Sequence, residues 1–211
     1  MKKMLAATLI ALSGCATAVS DSLERRGVDA RMTLVQRVTD VRTDTVRTKS
    51  AFDEAQSALS AVQGLDGAPL ARQLDLARAT GQNAAVAAQD LRLSVEDAKA
   101  AASRFFIKEE AELALMRPDG ESYLAAEAAL GAVKAASRNF EAAYDASKLR
   151  LSTALSLHNA EVTTLRRAAT SGVAADARAS ERANALAAID DANAALSILL
   201  EETDGYLAAL K

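Results

Sequence analysis

The chain lacks most of the residue types on which catalytic sites depend. It contains one cysteine, one histidine and no tryptophan, and aromatic residues make up 3% of it. Covalent and acid-base catalysis usually rely on His, Cys or a shielded carboxylate, so Cys-His sites and most Ser-His-Asp sites are excluded. A single cysteine also excludes a disulfide within one copy of the chain. We therefore expect a protein that is not an enzyme.

Helix-breaking residues are also scarce, because the 211 residues include only two prolines and nine glycines. Alanine, which has the highest intrinsic helix propensity, occurs 51 times. Large side chains, which each contribute about 1.5 to 3 kcal/mol when buried, are correspondingly few. The composition predicts an all-α fold in which long helices pack closely along narrow contacts.

Motifs that bind cofactors or metal ions are missing as well. The sequence has no CxxC pair, no GxGxxG loop and no Walker GxxxxGK[ST] loop. A di-iron site in a four-helix bundle needs two Glu-x-x-His motifs, whereas His158 has Leu155 three residues before it. We expect no catalytic residue, no cofactor and no metal site. The clustered carboxylates are neighbours that point in different directions on a helix, so we interpret them as solvated surface: Glu109, Glu110, Glu112, Asp190, Asp191, Glu201 and Glu202.

What the chain does have is an N-terminal export signal. Lys2 and Lys3 precede an apolar run at residues 4–12. This run is too short to span a bilayer, which takes about 20 residues. Leu12-Ser13-Gly14-Cys15 resembles the bacterial lipobox, L-[AS]-[GA]-C, which implies cleavage before Cys15 and lipidation of its sulfur. An ordinary secretory signal with an incidental cysteine is the alternative.

This interpretation divides the chain into a signal peptide (1–14), a lipidated tether (15–27) and a helical-bundle domain (28–211). It predicts a protein attached to a membrane through Cys15 and facing the periplasm. In enterobacteria an Asp after the lipidated Cys marks retention in the inner membrane, and neither Ala16 nor Thr17 is Asp. Similarity to that sorting rule implies the outer membrane.

From residue 28 onward, apolar residues recur in steps of four and three, the spacing of one helix face in a coiled coil. Short connections make neighbouring helices antiparallel, which predicts an elongated antiparallel helical bundle or coiled coil of three to four long helices. Pro69 is expected in the first turn of one helix, and Asp119 is expected to cap another. The spacing of apolar residues continues almost unchanged across Gly172, so a single helix over 120–210 is the alternative to two helices. The four predicted helices lie near 28–63, 70–116, 120–171 and 173–210.

The same pattern predicts which residues face the core. In the third helix a step of four replaces a step of three at Lys148, which is a stutter that places Lys148 and Leu155 on the inner face. His158 lies on that face too, and we expect a buried structural residue rather than a ligand or a base. The inner face of the first helix is predicted to be Leu34, Val38, Val41, Thr45, Thr48, Phe52, Ala55, Leu59 and Val62, and that of the fourth Leu186, Ile189, Asn193, Leu196, Leu200, Thr203, Leu207 and Leu210.

Charge is unevenly distributed along the chain. Residues 24–49 contain seven basic and four acidic side chains, although the whole chain has a net charge of −3. This helix can lie near anionic headgroups, where each basic residue contributes about 1 kcal/mol. We favour the alternative, in which its arginines pair with acidic helices of the same bundle. Nucleic acid is not an expected partner of an acidic, exported chain with no aromatics among its basic residues.

The sequence resembles one known family. Residues 23–31 (LERRGVDAR), residues 34–38 (LVQRV) and the spacing from Phe52 to Val62 are similar to the start of the bacterial proteins grouped as domain of unknown function 2959. Leu157-His158-Asn159 and residues 189–210 are similar to the end of that family. The resemblance implies a helical lipoprotein of Gram-negative bacteria with no assigned activity, so no catalytic residues carry over.

Two functions are consistent with these features. The first is a lipoprotein anchored through Cys15 whose bundle is a non-catalytic structural or interaction module, with protein partners or another copy of itself. The alternative is a periplasmic chaperone or apolar-ligand-binding module that uses the alanine-lined contact between helices as a cleft.

Overall fold

A computed structural model describes residues 29–118, 120–171 and 179–211, and within them the chain forms four long α-helices. The predicted all-α fold and helical bundle are confirmed. Cys15, Asp119 and Gly172 lie outside the described residues. The helices are α1 (Ala30–Ser60), α2 (Gly67–Ala114), α3 (Glu121–Thr170) and α4 (Ala179–Ala209).

The helix ends follow from a few residues. The Asp29 carboxylate accepts a hydrogen bond from the Arg31 amide at 3.0 Å, which caps the N-terminus of α1. The turn between α1 and α2 uses Gly64 and Gly67, whose φ angles of +70° and +47° strain any other residue. Pro69 lies in the first turn of α2, as predicted, where a missing N–H leaves no helical bond unmade.

The four helices form a ring in which each packs against its two neighbours: α1 against α2 and α4, and α3 against α2 and α4. Neighbours are antiparallel. Asp29 at the start of α1 pairs with Lys108 near the end of α2, whereas Thr48 further along α1 binds Ala87. The α3–α4 pair is also antiparallel, so residues 120–210 are two helices rather than one. Contacts that fix its register are Ser147 with Ala195 and Phe140 with Tyr206.

The predicted inner face of α1 and the turn after it is confirmed in full, since all nine of its residues are buried. The two threonines among them keep their hydroxyl groups bonded. Thr45 donates to the Val41 carbonyl at 2.8 Å, and Thr48 donates to the Asp44 carbonyl at 2.7 Å. Hydroxyls that bond to their own helix can lie in a core without an unsatisfied donor.

The stutter predicted in α3 is wrong. Lys148 is exposed and Leu155 is only half-buried, whereas the preceding residues of each, Ser147 and Ala154, are buried. Burying Lys148 would leave an ammonium group without a partner in the core. Steps of three and four instead continue without interruption through His158 and Glu161 to Leu165.

The predicted inner face of α4 is confirmed at five of its eight residues, which are buried: Ile189, Asn193, Leu196, Thr203 and Leu210. At the other three the buried face lies one residue earlier. Leu186, Leu200 and Leu207 are half-buried. This shift follows from the ring, because α4 contacts both α1 and α3 and its buried face is centred between them. The residues immediately before the three leucines, Ala185, Leu199 and Tyr206, are the buried ones.

Small side chains let neighbouring helices approach closely. The Thr48 hydroxyl oxygen, which bonds to its own helix, also lies 3.1 Å from the Ala87 carbonyl oxygen of α2, and the Ser147 hydroxyl oxygen likewise lies 3.1 Å from the Ala195 carbonyl oxygen of α4. A short side chain can reach the backbone of the next helix only where no large side chain separates the two. These contacts confirm the expectation of narrow, alanine-rich packing between helices. We call the contact between two neighbouring helices a seam.

One helix of the described residues, α4, is long and apolar enough to cross a membrane by length and composition. Several of its apolar side chains belong to the core, among them Ile189, Leu196 and Leu199. Asp190 and Asp191 lie near the middle of its apolar stretch. Each would cost about 2.5 to 3.5 kcal/mol at the centre of a bilayer, which favours a core helix over a membrane span.

We predict an elongated particle in solution. α3 has 50 residues, so it is about 75 Å long, and a rod of that length has a radius of gyration of roughly 23 Å. A compact domain of this size has a value of about 16 Å. Small-angle X-ray scattering on the monomeric chain without its leader measures this directly. A concentration-independent value near the compact one would contradict the long bundle.

Candidate functional site

The predicted lipidation site, Cys15, precedes the described residues and stays a prediction. Three arginines of α1, by contrast, pair with aspartates of neighbouring helices. Arg42 donates a hydrogen bond to Asp204 of α4 at 2.7 Å, and this bond raises the pKa of Arg42. Arg37 and Arg47 pair with aspartates of α2. Exposed ion pairs contribute little to stability, so their main effect is to fix the register of α1.

His158 is buried, as predicted, with 1% of its surface exposed. Its ring packs against Gly81 of α2, where a Cβ atom would lie 2.5 Å from Cε1 and 2.6 Å from Nδ1 of the ring. Gly81 therefore makes room for the imidazole in the α2–α3 seam. In the described part of the chain, neither ring nitrogen has a hydrogen-bond partner.

Burial controls the charge of this histidine. It lowers the pKa of His158, and the Asn159 side chain opposes that shift to a smaller degree. The folded protein therefore favours the neutral ring. A general base or a metal ligand must reach its target, and this ring is enclosed by the bundle. Within the described ranges, no group of three or more His, Cys, Asp or Glu residues could hold a metal ion.

An apolar groove lies along the α2–α3 seam on one side of His158. It has a volume of about 180 Å³ and is lined mainly by Ala85, Ala88, Tyr144, Leu151 and Leu155. This groove corresponds to the alanine-lined cleft considered in the sequence analysis. Ligand sites usually have about 300 to 1,000 Å³, so the groove holds only part of an apolar ligand. Its size favours a structural seam.

A second groove lies on the other side of His158 and carries positive charge. It has a volume of about 480 Å³, and its arginines are Arg78, Arg166 and Arg167. Arg166 is paired with Asp75 at 3.0 Å. The polar side chains that line the groove are exposed, so it lacks the buried polar group that fixes a ligand's orientation. We assign no ligand to it.

Sequence reasoning missed two buried charged residues, Glu161 of α3 and Arg182 of α4, which are 4% and 5% exposed. Because Ser147 lies opposite Ala195 in this antiparallel pair, Glu161 and Arg182 occupy facing positions. Opposite charges at facing buried positions compensate part of the cost of desolvation. The heptad spacing could have indicated the burial of Arg182, because a step of four back from Ile189 reaches Ala185 and a further step of three reaches Arg182.

The contact between Gly81 and His158 predicts that a glycine-to-alanine substitution destabilises the protein here, although the same change usually stabilises a helix. Gly to Ala within a helix normally stabilises a protein by about 0.5 to 1 kcal/mol. Gly81→Ala should instead lower the melting temperature, because its Cβ would meet the ring at 2.5 Å. Adding the same substitution to His158→Ala should raise the melting temperature. Gly205→Ala is the matched control, since nothing lies within 4 Å of its added Cβ; equal effects of the two glycine substitutions in the wild-type background would contradict the account.

A second prediction concerns pH. Because the pKa of His158 is lowered in the folded state, the unfolded chain takes up a proton first as the pH falls through about 6.5. Wild-type stability should therefore decrease from pH 8 to pH 5 by a contribution that His158→Leu and His158→Gln both lack. Denaturant unfolding at the two pH values measures it. A wild-type pH dependence unchanged in both variants would show that the ring titrates normally in the folded protein.

Comparison with known proteins identifies no relative from which a function could be transferred. No protein-family model matches the chain, and no curated protein matches it either. The resemblance to domain of unknown function 2959 therefore stays a prediction.

Proposed function

We propose that this chain is a lipoprotein of the outer membrane, anchored through Cys15, whose bundle serves the periplasm as a non-catalytic spacer and interaction module. Its partners are other proteins or another copy of itself, bound along exposed helix faces. The observation that carries the proposal is the position of the only cysteine, at the end of an export signal and directly after Leu12-Ser13-Gly14. The resemblance to domain of unknown function 2959 agrees with it.

The spacing role is supported by the geometry of the bundle. α1 has 31 residues, so the turn after it lies about 45 Å from Asp29, where the tether joins the bundle. The tether from Cys15 to Asp29 adds at most roughly 50 Å when extended. A molecule of these dimensions holds one end near a membrane surface while the other end reaches well into the periplasm.

A non-catalytic role is supported by the surroundings of His158. A catalytic imidazole must contact a substrate, yet this ring is 1% exposed and pressed against Gly81. The small volume of the apolar groove beside His158 argues against an apolar-ligand site in the α2–α3 seam, the alternative function considered for that cleft.

The proposal predicts that Cys15→Ala abolishes lipidation and processing at this site. Each buried methylene of an acyl chain contributes about 0.8 kcal/mol to membrane binding, and that contribution is lost without the thiol. Mass spectrometry of the N-terminal peptide and fractionation of washed membranes measure both effects. The control is residues 16–211 behind an ordinary secretory signal, which should be released in the soluble periplasmic fraction. An unlipidated wild-type N-terminus, or a control that stays in washed membranes, would contradict a lipid anchor.

A further inference from the structure

The α2–α3 hairpin extends beyond the ends of the other two helices. Lys108 of α2 lies 3.3 Å from Asp29, which marks the start of α1. On the other side, Tyr206 packs against Phe140, so α4 ends near residue 134 of α3. The described residues from 109 to 133 therefore project past both neighbours, by roughly 10 Å on the α1 side and 20 Å on the α4 side. We call this projection the overhang.

The overhang and its base expose large apolar side chains. Leu115 is 89% exposed, more than any other large hydrophobic residue that the structure describes, and it lies in the turn after α2. The turn between α1 and α2, at the opposite end of the bundle, buries its apolar side chains instead: Val62 is fully buried and Leu65 packs against the core. The exposed set at this end is Ile107 (65%), Leu115, Met116 (42%) and Leu124 (56%).

The tether joins the bundle at the base of the overhang. Asp29 is the first described residue, and it is held by Lys108. A tether of at most roughly 50 Å leaves the tip of the overhang, about 10 to 20 Å ahead of that point, free to reach the surface to which Cys15 is attached. The exposed apolar side chains thus lie at the end of the bundle where the tether joins, within reach of an anchored bilayer.

We propose that the overhang is a second membrane contact, in which Leu115, Met116 and Leu124 insert into the interfacial region of the bilayer that carries the lipid anchor. This rests on the proposed function for the position of the tether. The lipid anchor fixes only the end of the tether, so a second contact would restrict the orientation of the bundle relative to the bilayer.

Charge identifies the kind of bilayer. Residues 108–127 contain six acidic and two basic side chains, so anionic headgroups repel this end of the bundle. The matching surface is zwitterionic. A second copy of the overhang would meet the same repulsion. Its three exposed large apolar side chains would also give an interface with a second copy only a small apolar core.

The test uses the mature chain, residues 15–211, coupled through its only thiol to maleimide lipids in zwitterionic vesicles. Because the chain has no tryptophan, Leu115→Trp introduces a single reporter at the tip. We expect its emission to shift to shorter wavelength and to be quenched by brominated lipids. Leu149→Trp is the matched control, since Leu149 is 70% exposed on α3 away from the overhang, and it should show neither change.

Adding Met116→Ser and Leu124→Ser to Leu115→Trp should abolish the quenching while circular dichroism and the melting temperature stay unchanged. Equal quenching of both reporters, or of neither, would overturn the proposal. A shift that grows with protein density without lipid quenching would indicate a second copy as the occupant, and equal quenching in anionic vesicles would refute the zwitterionic assignment. The chemical coupling replaces the natural acyl chain, so this result is independent of whether Cys15 is lipidated in cells.

Discussion

The close approach of neighbouring helices through small side chains is the constraint on which the rest of the structure depends. Thr48 and Ser147 show how close it is, because each hydroxyl reaches a backbone carbonyl of the next helix at 3.1 Å. A core of this kind stabilises the fold through many short contacts distributed along the seams. It also explains why a chain with 3% aromatic residues can form a bundle. The imidazole of His158 fits such a seam only because Gly81 faces it.

The helices and the α1 inner face could be predicted from the sequence because alternation of apolar and polar residues is a local property. At some positions of α3 and α4 the apolar spacing predicts the residue next to the one that is buried. It predicts Leu207 where Tyr206 is buried, since an alanine-rich pattern leaves adjacent positions nearly equivalent and the packing of the four helices decides between them. The burial of His158 was predictable, but its pairing with Gly81 was not, because it depends on the register of two distant segments.

The proposed function depends on which features lie at each end of the molecule. The tether and the overhang lie at one end, where attachment to a bilayer is expected, and the turn with Gly64 and Gly67 lies at the other. His158 lies within the α2–α3 seam rather than at an exposed surface. Under the proposed function the chain is a rigid extension from a membrane, with its exposed helix faces available to partners.

Hydrogen exchange of the lipidated protein in bilayers tests the central claim, that α4 belongs to a closed bundle which the membrane holds from one end. The account predicts that amides of Ala30–Ser60 and Ala179–Ala209 open with the same free energy, because helices that share a seam unfold together. This free energy should be the same in the detergent-free soluble chain. Protection of α4 that appears only in bilayers would contradict the account, since it would make α4 a membrane element.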